Sequence, residues 1–190
     1  GTCYEQDVLD AIAEVSKAKN CATHVDGARI FNASVATKTP LHRMTRDYDS
    51  VSICLSKGLG APVGSVLVGS QDFIDQAHRW RKMFGGGMRQ SGILAAAGIY
   101  ALENNVERME DDHRRARTIA QAIDEMDHVS VDLDAVQTNM VYFSASKYSA
   151  NEVSQKMAEA GIDMFDISPT HCRIVTHLHI TDRDVNRVID

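Results

Sequence analysis

Several features are scarce in these 190 residues, and each scarcity removes a class of protein. Basic charge is not in excess. Twenty Lys and Arg stand against 26 Asp and Glu, a net charge of −6, so nothing electrostatic points to nucleic acid or an anionic membrane surface. The most basic cluster, His78-Arg-Trp-Arg-Lys82, is short and ends a helical stretch, where cations complement the helix dipole. No apolar run approaches a membrane span. The four cysteines, Cys3, Cys21, Cys54 and Cys172, form no CxxC pair and no dense framework. That usage is expected of free thiols in a reducing, cytoplasmic compartment. Internal repeats, low-complexity segments and Ser-His-Asp or Cys-His nucleophile patterns are all missing. The chain opens on Gly1 instead of a methionine, and targeting is not read from it.

What is present is globular in composition: 44% hydrophobic and 24% charged, with enough length for one large or two small domains. The stretch Asp49-Ser-Val-Ser-Ile-Cys-Leu-Ser-Lys57-Gly-Leu-Gly-Ala-Pro-Val-Gly64 organises the rest. Val51, Ile53 and Leu55 alternate with Ser52, Cys54 and Ser56, the period-two pattern of a strand. That strand runs into Lys57 and a burst of glycines, and Gly64–Gly69 reads as another short strand. A Walker A loop is excluded because Ser56 precedes Lys57 and a glycine follows it. The dinucleotide fingerprint is excluded because the third glycine is one place late, follows Pro62 and leads into a strand. Lys57 is then either a solvated turn residue or an amine held against a bound group, such as a carbonyl cofactor taken as a Schiff base.

Upstream, the spacing predicts a helix over 7–19 with Val8, Ile12 and Val15 on one face. Ala22–Asp26 reads as a short buried strand followed by Gly27 and Arg29. This helix–strand alternation predicts an α/β sheet with parallel strands, in which ligands sit at the strands' C-terminal ends. Asp26 and Lys57 both fall at that end. Downstream, helices are predicted over 71–83 and about 90–103, separated by the Gly85-Gly86-Gly87 loop. Asn104-Asn105 ends the second, whose small residues suit a buried core or a subunit interface.

Composition shifts at Val106. A charged helix with a solvated face keeps Met109, Ala116, Ile119, Ile123 and Met126 in helical register. Strands 128–133 and 139–144, a helix 151–160 stopped by Gly161, a strand 172–180 and a last helix follow. Thr181 and Asp184 form a capping-box pattern at the start of that last helix. Residues 1–105 and 106–190 are expected to be separate domains, the second α+β. Taken alone, Asp26 reads as a strand-end carboxylate capping a turn, and Arg173 as an edge-strand salt-bridge partner. His171, His177 and His179 could share a strand face, but with no acid or thiolate pair nearby no metal site is expected.

Four separated stretches then agree. His24-Val-Asp-Gly-Ala-Arg-Ile-Phe-Asn-Ala33, Ser50 to Gly69, Arg79-Trp-Arg-Lys-Met-Phe-Gly-Gly-Gly-Met-Arg-Gln90 and Arg173-Ile-Val-Thr-His177 closely resemble the low-specificity L-threonine aldolases. The match runs in order through the whole chain. The resemblance implies a pyridoxal-phosphate enzyme of aspartate-aminotransferase (fold-type I) architecture, with residues 1–105 as part of the large-domain sheet and 106–190 as the small C-terminal domain. It implies retro-aldol cleavage of threonine or allo-threonine to glycine and acetaldehyde. Lys57 would then be the Schiff-base lysine, and Asp26 the partner of the pyridine nitrogen. Arg29 and Arg173 would hold the substrate carboxylate, for which the planar guanidinium fork is suited. Lys82 and Arg89 match positive residues that the family places around the cofactor phosphate or the active-site rim, in the same or a neighbouring subunit. The resemblance also implies a homo-oligomer, a tetramer built on dimers, acting on a small amino acid.

One departure is large. Family members carry a long segment before the position of Gly1 that supplies further strands, the phosphate-gripping loop and a stacking imidazole. The expectation is a protein truncated relative to its family, inactive as this chain alone and active at full length. The rival expectations are another reaction on the same scaffold, such as β-elimination or racemisation, and a non-catalytic half-protein.

Overall fold

The computed structural model describes residues 1–189, which fall into two compact units: Tyr4–Glu107, and Arg108–Asp190 together with Gly1–Cys3.

In the first unit, helix α1 (Gln6–Ala18) leads to strand β1 (His24–Asp26), then to helices α2 (Ile30–Thr37) and α3 (Leu41–Thr45). Strands β2 (Ser50–Cys54) and β3 (Ser65–Gly69) follow, and helices α4 (Gln71–Met83) and α5 (Gly92–Asn104) complete it. The sheet order is β1-β2-β3. β1 and β2 run parallel, with Asp26 opposite Ser52, as the helix–strand alternation predicts. β3 departs from that expectation and is antiparallel to β2. The reason is chain length: residues 55–64 carry no helix, and a parallel return needs a crossover of about a dozen residues or more. The core packs Ile30, Met44 and Val51 against Leu9, Val25, Phe31, Leu41 and Ile53. The face of α1 bearing Val8, Ile12 and Val15 lies outside it, with Val15 61% exposed. β3 is exposed along its whole length, and in the small-residue helix α5 only Gly98 and Ala101 are buried.

An ion pair ties α1 to α3: Arg43 Nη1 donates to Asp10 Oδ1 at 2.8 Å. The hydrogen bonds from Arg43 and Gln6 hold the Asp10 carboxyl down at about 2. A carboxylate depressed in the folded state adds stability above its unfolded value near 4, and that contribution disappears as pH falls through about 2. Asp10→Asn is therefore expected to lower the unfolding midpoint at neutral pH. Its deficit should shrink between pH about 4 and about 2, as followed by denaturant melts across that range.

In the second unit, helix α6 (Met109–Asp124) precedes strands β4 (Val129–Val131) and β5 (Met140–Ala145). Helix α7 (Ala150–Glu159), strands β6 (Phe165–Asp166) and β7 (His171–Val175) and helix α8 (Asp182–Ile189) follow. The sheet is antiparallel throughout, in the order β4-β5-β7-β6. Ala116, Ile119 and Ile123 of α6 are buried against Val141, Phe143, Cys172 and Val185, which is what their helical spacing predicts. Met126 is not among them: α6 ends at Asp124, and Met126 is 43% exposed. Asp112 breaks the solvated-face pattern, because it is fully buried and bonded to Arg108 one turn earlier. His128 takes φ 68°, and Asp132 caps a 3-10 turn over Leu133–Ala135, so β4 is shorter than its apolar pattern.

β7 stops at Val175, five residues before its expected end. Beyond it, Thr176 N–H still donates to the Asn139 carbonyl at 3.0 Å. Its hydroxyl donates to the Asp112 carbonyl at 2.7 Å. β5 begins only at Met140, so the chain has no further ladder partner and turns, with Ile180 N–H donating to the His177 carbonyl. His177 and His179 therefore lie in that turn, their rings edge to face at 5.6 Å, and do not share a strand face with His171. Thr181 and Asp184 form the expected capping pair on α8. A second capping box, Ser149 with Glu152 on α7, follows the same S-x-x-E spacing.

Candidate active site

The residues singled out by sequence gather first at the C-terminal edge of β1 and β2. β1 ends on Asp26, whose carboxylate is exposed and accepts from Ala28 N–H at 3.2 Å. The next residue must be small. Gly27 N–H donates to the Ser52 carbonyl at 2.8 Å, and a Cβ on Gly27 would sit 2.8 Å from that oxygen. Glycine therefore lets the chain leave β1 in contact with β2. Arg29 follows as the N-cap of α2 and is half-buried.

On the neighbouring strand, β2 ends at Cys54 and the chain closes a compact loop. Leu55 N–H donates to the Gly64 carbonyl at 3.0 Å, Ala61 N–H to Leu55, and Gly60 N–H to the Lys57 carbonyl at 2.9 Å. Gly60 has φ 72° and Gly64 φ 108°, a region where a side chain is strained. The loop is anchored by Leu59, 1% exposed, whose carbonyl accepts from Asn105 Nδ2 at 2.7 Å. Lys57 is thus held at a defined place on a pinned turn. Its side chain is exposed, and its Nζ takes no hydrogen bond or ion pair among the described residues. Asp26 and Lys57 leave adjacent parallel strands at the same edge.

His24 lies on the Asp26 face of β1, by strand alternation. Its ring nitrogens lie 2.8 Å from Ser50 Oγ and 3.2 Å from Ser52 Oγ, bridging β1 to β2 beside Asp26. Neither this bridge nor the Asn105 anchor was expected. Asn105 reads in sequence only as a helix stop, and no local pattern pairs residues 26 to 46 positions apart.

Lys82 lies in the last turn of α4 and is exposed, as is Arg89 beyond it. The glycine loop folds back over the helix end: Gly86 N–H donates to the Arg81 carbonyl at 2.8 Å, and a Cβ on Gly87 would lie 2.7 Å from Lys82 Cδ. Trp80 stacks on Phe84 at 5.7 Å. No hydrogen bond or ion pair joins Lys82 or Arg89 to Asp26 or Lys57 among the described residues.

Arg173 belongs to the second unit. It lies on β7, an interior strand and not an edge, and makes no ion pair among the described residues. Its guanidinium carbon sits 4.9 Å over the Phe165 ring centroid.

An open cleft of about 760 Å³ lies elsewhere, lined by Asp10, Lys17, Thr23, Arg46, Tyr48 and Asp49 among others. Thr23 and Asp49 precede β1 and β2, so the cleft is at the opposite edge of the sheet from Asp26 and Lys57. Among the described residues, no group of three or more His, Cys, Asp or Glu is placed to hold a metal, and no helix is long and apolar enough to cross a membrane.

Comparison with known proteins gives the family of the chain. The family model of the beta-eliminating lyases matches residues 1–146. The low specificity L-threonine aldolase of Escherichia coli is 45% identical over 188 residues, covering 99% of this chain and 55% of that protein. Low-specificity L-threonine aldolase 1 of Arabidopsis thaliana is 41% identical over 189 residues, with 98% and 53% covered. The structure of the Leishmania major threonine aldolase superposes with a TM-score of 0.80 at 16% identity, over 100% of this chain and 56% of that one. The fold is therefore that of the fold-type I pyridoxal-phosphate enzymes, and members of the matching family are pyridoxal-phosphate-dependent. The chain spans about half the length of the relatives it matches. By sequence, the chain belongs to the beta-eliminating lyase family.

Proposed function

We propose that the full-length protein is a pyridoxal-phosphate-dependent aldehyde-lyase that cleaves L-threonine and L-allo-threonine to glycine and acetaldehyde. The reading is supported by the shared strand edge that carries Asp26 and Lys57, together with the names of the relatives. The donor set suits the cofactor chemically: an exposed amine for its carbonyl, and an exposed carboxylate with one N–H donor for its ring nitrogen. When bound, pyridoxal phosphate supplies an electron sink for the charge left on Cα as the Cα–Cβ bond breaks.

The chain's own residues do the rest. Lys57 Nζ, the one primary amine on this loop, would hold the cofactor through its carbonyl. Asp26 keeps the proton on the ring nitrogen. Arg29 and Arg173 each carry a planar guanidinium fork of the kind that takes a substrate carboxylate through paired N–H donors. Lys82 and Arg89 contribute positive charge toward the phosphate or the rim of the site. The unit Tyr4–Glu107 is the cofactor-binding portion and the unit beginning at Arg108 the small domain. The protein is cytoplasmic and a homo-oligomer, a dimer of dimers. Exposed Phe84 (83%) and Ile93 (86%) on the α4–α5 stretch support an interface there.

Incubating the full-length protein with L-threonine and pyridoxal phosphate is expected to yield glycine and acetaldehyde in equal amounts. Ammonia with a 2-keto acid in their place would overturn the aldol reading in favour of elimination.

A further inference from the structure

Arg173 is set in an unusual surround for an arginine. It faces two aromatic residues across the ladder, Tyr142 on β5 and Phe165 on β6. Directly paired residues of antiparallel strands share a sheet face, so Tyr142, Arg173 and Phe165 form one row. The opposite face carries Cys172 and Ile174, packed into the core. No Asp or Glu occupies a strand position on the Arg173 face. Asp166 pairs with Cys172 instead, and its carboxylate accepts from Asn151 of α7. The Tyr142 hydroxyl turns along its own strand to Met140 Sδ at 3.7 Å. Arg173 Nε is buried with no hydrogen-bond partner among the described residues, and the guanidinium lies over the Phe165 ring.

The two ways of holding an arginine differ in what they leave behind. A carboxylate partner takes up the in-plane N–H fork and cancels the charge. A ring face attracts the cation from above its plane and leaves both fork and charge available. We propose that Phe165 is a positioning residue for Arg173. Its ring fixes the guanidinium on a sheet face whose strand positions hold no Asp or Glu, so that the fork is presented to the carboxylate of an amino-acid substrate. This inference rests on the reading of Arg173 as a substrate-carboxylate ligand.

The test uses the full-length holoenzyme and steady-state kinetics with L-threonine. Phe165→Ala is expected to raise KM about 3- to 10-fold with kcat nearly unchanged, the split expected when binding common to ground and transition state is lost. Phe165→Tyr, which keeps a ring face, should stay within about 2-fold of the parent. Because Phe165 is 58% exposed, the melting temperature should hardly move. Arg173→Ala should raise KM far more, and adding Phe165→Ala to it should change nothing further. An unchanged KM in Arg173→Ala would overturn the underlying reading of Arg173. A large KM rise in Arg173→Ala beside an unchanged KM in Phe165→Ala would overturn the inference alone. So would a Phe165→Ala effect that persists in the Arg173→Ala background, because that would mark a packing role.

Discussion

Lys57→Ala in the full-length protein is expected to lower kcat/KM for L-threonine by about 10³-fold or more, some 4 kcal/mol of barrier, and to abolish the visible absorbance of the bound cofactor. The expectation follows from chemistry and placement together. A primary amine is the only group at this loop able to hold a carbonyl covalently, and alanine leaves nothing to replace it. The loss should be chemical and not structural. The turn is set by the Gly60-to-Lys57 and Ala61-to-Leu55 backbone hydrogen bonds and by buried Leu59, none of which uses the lysine side chain. The melting temperature of the apo-protein should therefore match that of the parent. Lys57→Arg should be as inactive as the alanine variant, because a guanidinium stays protonated and cannot serve as the amine. Activity within tenfold of the parent in either variant would remove Lys57 from its proposed role.

The second large effect concerns folding. Asp112→Ala is expected to destabilise the protein by about 3–5 kcal/mol, the range for breaking a buried ion pair from one side. Asp112 is fully buried and its carboxylate receives both terminal nitrogens of Arg108, which is itself only 19% exposed. Removing the acid leaves a guanidinium charge largely out of water with no partner. The position also lies in the first turn of α6, where a negative charge favours the helix dipole, and its backbone carbonyl anchors the Thr176 hydroxyl at 2.7 Å. Denaturant unfolding monitored by circular dichroism gives the comparison. Removing both charges, with Arg108→Met and Asp112→Leu, should recover much of the loss, since an apolar pair strands no charge. A single-variant loss below about 1 kcal/mol would show that solvent reaches Arg108 and screens it.

Both expectations turn on residues that the sequence treats very differently. Lys57 announces itself, because a period-two apolar strand running into a lysine among glycines is a local pattern. Asp26 is legible for the same reason, as the acid that ends a strand just before a glycine. The helices over 71–83 and 109–124 are fixed by apolar spacing that needs only one turn of neighbours, and the S-x-x-E and T-x-x-D caps are written within four residues. Asp112 shows the limit. Among the six charged residues Glu110, Asp111, Asp112, Arg114, Arg115 and Arg117 it looks like any other member of a solvated face. In the fold it is buried, and its backbone carbonyl accepts from the Thr176 hydroxyl, 64 positions away.

The same division holds for the candidate site. By itself the sequence determined the family and singled out the lysine, the acid, the arginines and a two-part layout as candidates, because these depend on residue type and short spacing. The tertiary structure alone decided that β3 returns antiparallel and that β7 ends at Val175, where its partner strand runs out. It alone placed His24 between Ser50 and Ser52, let Asn105 pin the Lys57 turn, and set Phe165, from a two-residue strand with no pattern of its own, beneath Arg173. Each of these depends on which strand lies beside which and in what register. Register is fixed by burial and pairing across the whole sheet, and a window of sequence holds only one side of each pair.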